Sequence, residues 1–434
     1  MSDFDPHISV ETISTAKDAA YTIKEMTLDH LNRSIETPFK VLSGTKISRK
    51  AIENQITGIP FPIFESSKYL IDTKTYAGLN RILQDSSWIS GLNRMIGVDN
   101  NVVKDFNTTV SLVFRHYPLN DVEFHNIPAE RVRMDFSLYE GLLDYVYAAS
   151  SAFILTPDVC LPQSNRTISI DQYLSFISRS VESFERKNNK PIFVPLQVDL
   201  GVSDLKKILE FYKREKYSNI WIDFNAKACD NTYSARLRQM DRLLGDYLGN
   251  DYILYSSHMQ KDIQPQLRNP QAAASDILPQ YLGSDFVGIT RSPYRSYRPL
   301  MKPDEEIARD LGMTLANYQQ TKFEHTHRIF DPNTYYYYYP SAHPFRNELP
   351  DLTHVTSEQI GLLNSIVINQ EFSHAREVTQ ETGKLHPFLS EKQSLQDNPI
   401  LLGNILSPRQ PRFVQTTFSP SDDEDPFQFL GKME

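Results

Sequence analysis

The chain predicts an α/β fold of the (β/α)8 TIM-barrel type, with irregular insertions and C-terminal helices, and two observations carry that prediction. Short apolar segments alternate with amphipathic helical ones at a spacing of about 25 to 40 residues, the sequence image of consecutive right-handed βαβ units. An open doubly wound sheet shares this alternation. No G-x-G-x-x-G or G-x-x-x-x-G-K-[ST] follows any apolar segment, however, so the phosphate-loop versions of that sheet lose ground and the barrel is favoured.

Three strands come early: "TPFKVLSG" (37–44), "IPFPIFES" (59–66) and "TTVSLVFRHYP" (108–118). The next five, "AFIL" (152–155), "PIFVPLQV" (191–198), "SNIWIDF" (218–224), "DYILYSS" (251–257) and "SDFVGIT" (284–290), are short, apolar and rich in Ile, Val, Phe and Tyr, as buried parallel strands are. Helices separate them. Leu174, Ile177, Val181 and Phe184 share one helical face, with Ser169 or Asp171 placed to cap it. The stretch 201–217 takes Ser203 as N-cap and turns Leu205, Ile208, Leu209 and Tyr212 inward. Leu237, Met240, Leu244 and Tyr247 define a third helix, and 272–283 a shorter one interrupted by Pro279.

The organisation expected is an N-terminal extension (1–30), a barrel over 31–395, and a C-terminal tail (396–434) ending in an acidic, partly disordered run. Within the barrel, the Tyr- and Pro-rich segment 303–353 shows no period and is expected as an excursion packed on its surface. Closing helices over 357–389 follow from Ile360, Leu363, Ile366, Val367, Phe372, Ala375 and Val378.

With 434 residues, 40% hydrophobic, the chain has ample apolar surface for a large core. No apolar run reaches the roughly 20 residues of a membrane span, and the N-terminus lacks the pattern of a secretory signal, so no membrane and a cytoplasmic location are expected. A net charge of −9 argues against an overall basic coat for nucleic acid, although a local basic strip can coexist with it. Cys160 and Cys229 are too few for a disulfide framework or a thiolate zinc site. His325 and His327 in "EHTH" have no third ligand in view, and neither a metal nor another cofactor is expected. A homo- or hetero-oligomer stays open.

In a barrel, ligand chemistry belongs at the C-terminal ends of the strands. Those ends are polar here: Asp158, then Gln197 and Asp199, then Asp223 and Asn225, then His258 and Gln260, then Arg291. Asp199 and Asn225 could equally be helix caps, but Asp158 and Gln197 lie well before their helices. A carboxylate beside an amide offers acceptors and donors to the edge of a planar heterocycle. After the last strand, Arg291, Arg295, Arg298 and Lys302 interleave with Tyr294 and Tyr297 in a strip suited to phosphates and bases, or else to a solvated loop pairing with surface acids.

These strand ends resemble the tRNA-guanine transglycosylases, barrel enzymes that exchange a guanine in nucleic acid for a 7-deazaguanine. Asp158, Val159 and Cys160 are similar to that family's Asp-Glu-Cys; Gln197 followed by Asp204, Leu205 and Lys206 is similar to its base-reading Gln and Asp-Leu-Arg helix start. Gly283, Ser284 and Asp285 match its Gly-x-Asp, and His386, Pro387, Phe388 and Leu389 the His-Pro-x-Leu of archaeal members, so the resemblance spans 152–389. The family's nucleophilic aspartate is replaced by Gly288, and its Asp-Ser-Gly-Gly-Phe-Gln stretch and Cys-x-Cys-x-x-Cys zinc site are absent. The resemblance implies base exchange in tRNA or DNA, with Asp158, Gln197 and Asp223 binding the base and Arg291, Arg295, Arg298 and Lys302 the phosphates. Asp285, Asp199 or Glu65 would replace the lost nucleophile. The alternatives are a non-catalytic nucleic-acid-binding or partner-subunit relative, and an unrelated barrel enzyme on a small phosphorylated or heterocyclic substrate.

Overall fold

In a computed structural model, which describes residues 7–45, 47, 49, 52–53, 59–71, 73–119, 134–161, 168–187, 189–249, 252–260, 271–291, 303–319, 327–344 and 356–408, eight parallel strands form a closed ring. Ahead of the ring, β1 (Ile8–Thr15), β2 (Thr22–Leu28) and β3 (Arg33–Thr37) make an antiparallel sheet. The first barrel strand is split by Val41 into β4 (Phe39–Lys40) and β5 (Leu42–Ser43), and the second and third are β6 (Ile63–Leu70) and β7 (Asn107–Phe114). The fourth is split again, into β8 (Ile154–Leu155) and β9 (Asp158–Val159). Then come β10 (Ile192–Gln197), β11 (Asn219–Asp223), β12 (Ile253–Ser257) and, after a separate short strand β13 (Gln271–Ala273), β14 (Phe286–Val287).

Closure depends on the two split strands. The order β4-β14-β12-β11-β10-β8 runs round one side and β5-β6-β7-β9 round the other, so each split strand pairs with a different neighbour through each half. Every pairing in the ring is parallel, from Phe286↔Phe39 to Val113↔Asp158. All eight segments expected as strands from the sequence are barrel strands.

The connecting helices follow from their sequences. In Ile170–Glu185, Ser169 is the N-cap and exchanges hydrogen bonds with Gln172 in a capping box, while Tyr173, Ile177, Val181 and Phe184 are buried. Val202–Arg214 is capped two residues before the cap expected at Ser203: Gly201 is extended and its carbonyl already accepts the Leu205 N–H at 2.9 Å. Pro279 sits inside a 3₁₀ helix, Ser275–Leu282, where the tighter turn accommodates it. The 26-residue helix Ser357–Thr382 closes the barrel beside its first strand, where the Asn369 side chain accepts from Lys40 N–H and donates to Lys40 C=O, both at 2.9 Å. An amide thereby supplies the sheet partner that the split strand lacks.

The aperiodic segment contains a hairpin. β15 (Ile329–Asp331) pairs with β16 (Tyr336–Tyr338), and β16 with β13, so the tyrosine run is a buried strand. The base of the barrel lumen is packed with aromatic rings: Phe153 lies 4.9 Å from Phe193, 5.4 Å from Phe286 and 5.6 Å from Tyr255 between centroids. Below this layer, Asp285 receives Lys24 Nζ from the N-terminal sheet at 3.0 Å, a buried ion pair, and also accepts from Leu254 N–H at 2.8 Å. Among the described residues no helix is long and apolar enough to cross a membrane.

Candidate functional site

Alternation along a strand sends residues i, i+2 and i+4 to one side, and on β6 this turns Glu65, Ser67 and Tyr69 into the lumen. Ser111 on β7, Asp223 on β11, and Tyr255, Ser257 and His258 at the end of β12 meet them there. His258 is fully buried; its Nδ1 lies 3.0 Å from Asp223 Oδ1 and its Nε2 3.2 Å from Glu65 Oε1. Ser67 Oγ and Ser111 Oγ also reach Nε2, at 2.9 and 3.0 Å.

Glu65 is saturated with donors. Besides His258, it accepts from Ser111 Oγ at 2.6 Å, Tyr255 OH at 2.5 Å, Ser257 Oγ at 2.7 Å and Ile289 N–H at 3.1 Å. Burial by itself would raise its carboxyl, but the hydrogen bond and charge of His258, with Ser111 and Tyr255, hold it down to about 2. Burial would likewise lower His258, yet Asp223 and then Glu65 raise it to about 9. A charged imidazolium therefore lies between two carboxylates at neutral pH. Three residues at these strand ends have positive φ, Asn225 at 47°, Ala226 at 58° and His258 at 60°, and such outliers cluster where a site dictates the backbone.

A second carboxyl stands beside this chain. Asp158 is fully buried and accepts from Tyr173 OH at 2.9 Å, Gln197 Nε2 at 3.0 Å and Val159 N–H at 2.8 Å. Burial first, and the charge of Asp223 second, push it up to about 7, against the pull of those donors. Asp223 Oδ1 is shared by Tyr69 OH at 2.5 Å, His258 Nδ1 and Asn225 N–H at 2.8 Å, whereas Oδ2 is buried with no hydrogen-bond partner among the described residues. Arg291 lies over the Tyr69 ring, and its Nη1 also lacks a partner among the described residues. The Cys160 thiol is pushed up by burial and by the charges of Asp223 and Asp158, so it is protonated at neutral pH.

The structure thus brings Asp158, Gln197, Asp223 and Arg291 to one mouth. Gln197 gives Nε2 to Asp158 and takes the Leu161 N–H on Oε1 at 2.9 Å, which leaves its amide turned to the protein. Asp199 accepts from Tyr233 OH at 2.9 Å on the flank of a neighbouring helix. Asp285 sits at the opposite end of the barrel, under the aromatic layer, paired with Lys24. Arg295, Arg298 and Lys302, with Tyr294 and Tyr297, lie outside the described residues, as do His325 and residues 409–434. Among the described residues no group of three or more His, Cys, Asp or Glu is arranged to hold a metal.

Sequence reasoning named Glu65 only as a stand-in nucleophile and overlooked Ser67, Tyr69, Ser111, Tyr255 and Ser257. The signal was the polar alternation in "FESSKY" (64–69) and "TTVSLV" (108–113), where Glu65, Ser67 and Tyr69, and Thr109 and Ser111, recur at every second residue in strands otherwise built for a core.

The fold defines the class, a closed (β/α)8 barrel with an ionised chain of side chains at its C-terminal mouth. No family model matches the chain, and no curated protein matches it. Among solved structures it is similar to a glucosidase from Croceicoccus marinus, at 12% identity and TM-score 0.36, covering 66% of this chain and 63% of that one. It is also similar to an endo-β-1,4-mannanase double mutant from Cellulomonas fimi (12%, TM-score 0.34, 63% of this chain and 67% of that one). A third is a GH26 β-mannanase from Bacteroides ovatus (12%, TM-score 0.33, 59% and 84%). The chain spans less than two thirds of the glucosidase's length.

The resemblance to tRNA-guanine transglycosylases is corrected by the lumen itself, together with the expected exchange of a 7-deazaguanine base in tRNA or DNA. The lumen gives a physical reason. A Cβ at Gly288, the position of the lost nucleophile, would come within 2.6 Å of Tyr255 OH and of Ser257 Cβ, so donors to Glu65 occupy that space. Asp158 and Gln197, read as a base-binding pair, are bonded to each other.

Proposed function

We propose that the chain is a (β/α)8-barrel enzyme that performs general acid–base catalysis on a small substrate held at the C-terminal mouth. The observation that carries this reading is the pair of neighbouring carboxyls in unlike surroundings. The donors to Asp158 from Tyr173, Gln197 and the Val159 N–H are all uncharged, and its carboxyl titrates at about 7, where a group can both give and take a proton at physiological pH. Asp223 is held by the His258 imidazolium, and among the described residues one of its oxygens has no donor and is open to substrate. A carboxyl that can exchange a proton near neutrality, next to a carboxylate with an oxygen open to substrate, is an arrangement suited to acid–base work.

In this reading Asp158 is the proton-transferring group and Asp223 orients the substrate, while Glu65 and His258 position Asp223. Incubating the purified chain with a defined mixture of small metabolites, and following depletion by mass spectrometry, tests it. At least one compound is expected to be consumed, with the rate falling by about 10²- to 10⁴-fold in Asp158→Asn. Consumption of none, or an unchanged rate in the variant, refutes the proposal.

A further inference from the structure

We infer that the mouth binds a small molecule bearing both a phosphate and a free hydroxyl, the phosphate on Arg291 and the hydroxyl on Asp223. The inference names the substrate class, and it rests on the acid–base reading for any chemical step taken by the bound molecule. Asp223 is 1% exposed, and among the described residues Oδ1 takes three donors while Oδ2 takes none. A buried carboxylate oxygen left bare carries an unrecovered desolvation cost, which a ligand donor removes. Arg291 Nη1 is the complementary case, a buried donor without an acceptor among the described residues.

Both orphan atoms flank one tyrosine. The Arg291 guanidinium lies on the Tyr69 ring, and the hydroxyl of that ring is bound to Asp223 Oδ1. Tyr69, Cys160 and Arg291 are partly exposed, so the mouth meets solvent on this side. The charge of Arg115, exposed just past β7, acts on the Cys160 thiol in the same sense as that of Arg291. A guanidinium fork matches the oxygens of a phosphate, and the loop after the last strand is where barrels commonly hold one. The donor to Asp223 is a neutral hydroxyl, since His258 already supplies a cation to that carboxylate.

Isothermal titration of the full chain with inorganic phosphate, glycerol 3-phosphate, glycerate and glycerol tests this. Glycerol 3-phosphate is expected to bind, more tightly than phosphate or glycerate, and glycerol not to bind. Arg291→Gln is expected to weaken both phosphate compounds by about tenfold or more, with Arg291→Lys intermediate. Asp223→Asn is expected to weaken glycerol 3-phosphate by about tenfold without weakening inorganic phosphate. No saturable binding, or tighter binding of glycerate, overturns the assignment. So does an NMR signature of Arg291 Nη1 bonded to Asp223 Oδ2 in the unliganded chain, because the two atoms then satisfy each other. If Arg291→Gln does not fold, Arg291→Lys with unchanged affinity overturns it as well. Metabolite turnover lost in Asp158→Asn without phosphate binding refutes this inference and spares the catalytic reading; phosphate binding without turnover does the reverse.

Discussion

Replacing Glu65 by Gln puts an amide among groups that all donate, and leaves His258 with one carboxylate instead of two. Breaking a buried ion pair of this kind costs about 3 kcal/mol or more, so Glu65→Gln is expected to shift the denaturant midpoint sharply, without a change of slope. His258 adds a pH signature. Its folded pKa of about 9 lies above the unfolded value, so its contribution is fully present below about pH 6.5 and is lost as pH rises through about 9. Stability measured across that window should fall more steeply in the native chain than in His258→Gln, and equal slopes would rule out an imidazolium there. The polar ends of apolar runs made Asp158, Asp223 and His258 legible in the sequence. Their partners were not, because a serine or tyrosine inside a strand shows its direction only once the ring has closed. The base-reading role for Gln197 failed for a related reason: a motif names residue types, whereas function depends on which atoms remain unpaired, and both ends of that amide are taken.

At the scale of elements, the strands were readable because buried parallel strands are short, β-branched and aromatic, and the five later ones lead into polar residues. Helix starts were less so. Ser203 looks like a cap by composition, but the extended Gly201 begins the helix earlier, a backbone choice that no side chain announces. The close approach of β14 to β12 is specific to glycine: Gly288→Ala would press a methyl group on Tyr255 and Ser257, so a loss of about 1–3 kcal/mol is expected from thermal or denaturant unfolding. Unchanged stability would mean that the two strands stand further apart. The N-terminal sheet is fastened to the barrel base through Lys24 and Asp285. Lys24→Ala strands a buried carboxylate and should cost about 3–5 kcal/mol, whereas Lys24→Ala with Asp285→Asn should recover part of that loss in a double-mutant cycle.

Across the whole molecule, the ring closes because two strands are split, each half pairing with a different neighbour, and that irregularity was invisible in a sequence read segment by segment. The tyrosine run, aperiodic in isolation, becomes a buried strand because a partner from 271–273 lies far away in the chain. The barrel separates two carboxylates that look alike in sequence: Asp285 joins the scaffold below the aromatic layer, while Asp158 lies at the other end within the field of the Asp223 charge. On that separation rests the claim that the mouth carries a transferable proton. The direct measurement is a carbon-13 NMR titration of the Asp158 carboxyl, in the native chain and in Asp223→Asn. The native carboxyl is predicted to titrate near 7, and to fall when the charge at 223 is removed. Titration of Asp158 at the ordinary aspartate value of about 3.9, or indifference to residue 223, would contradict the account.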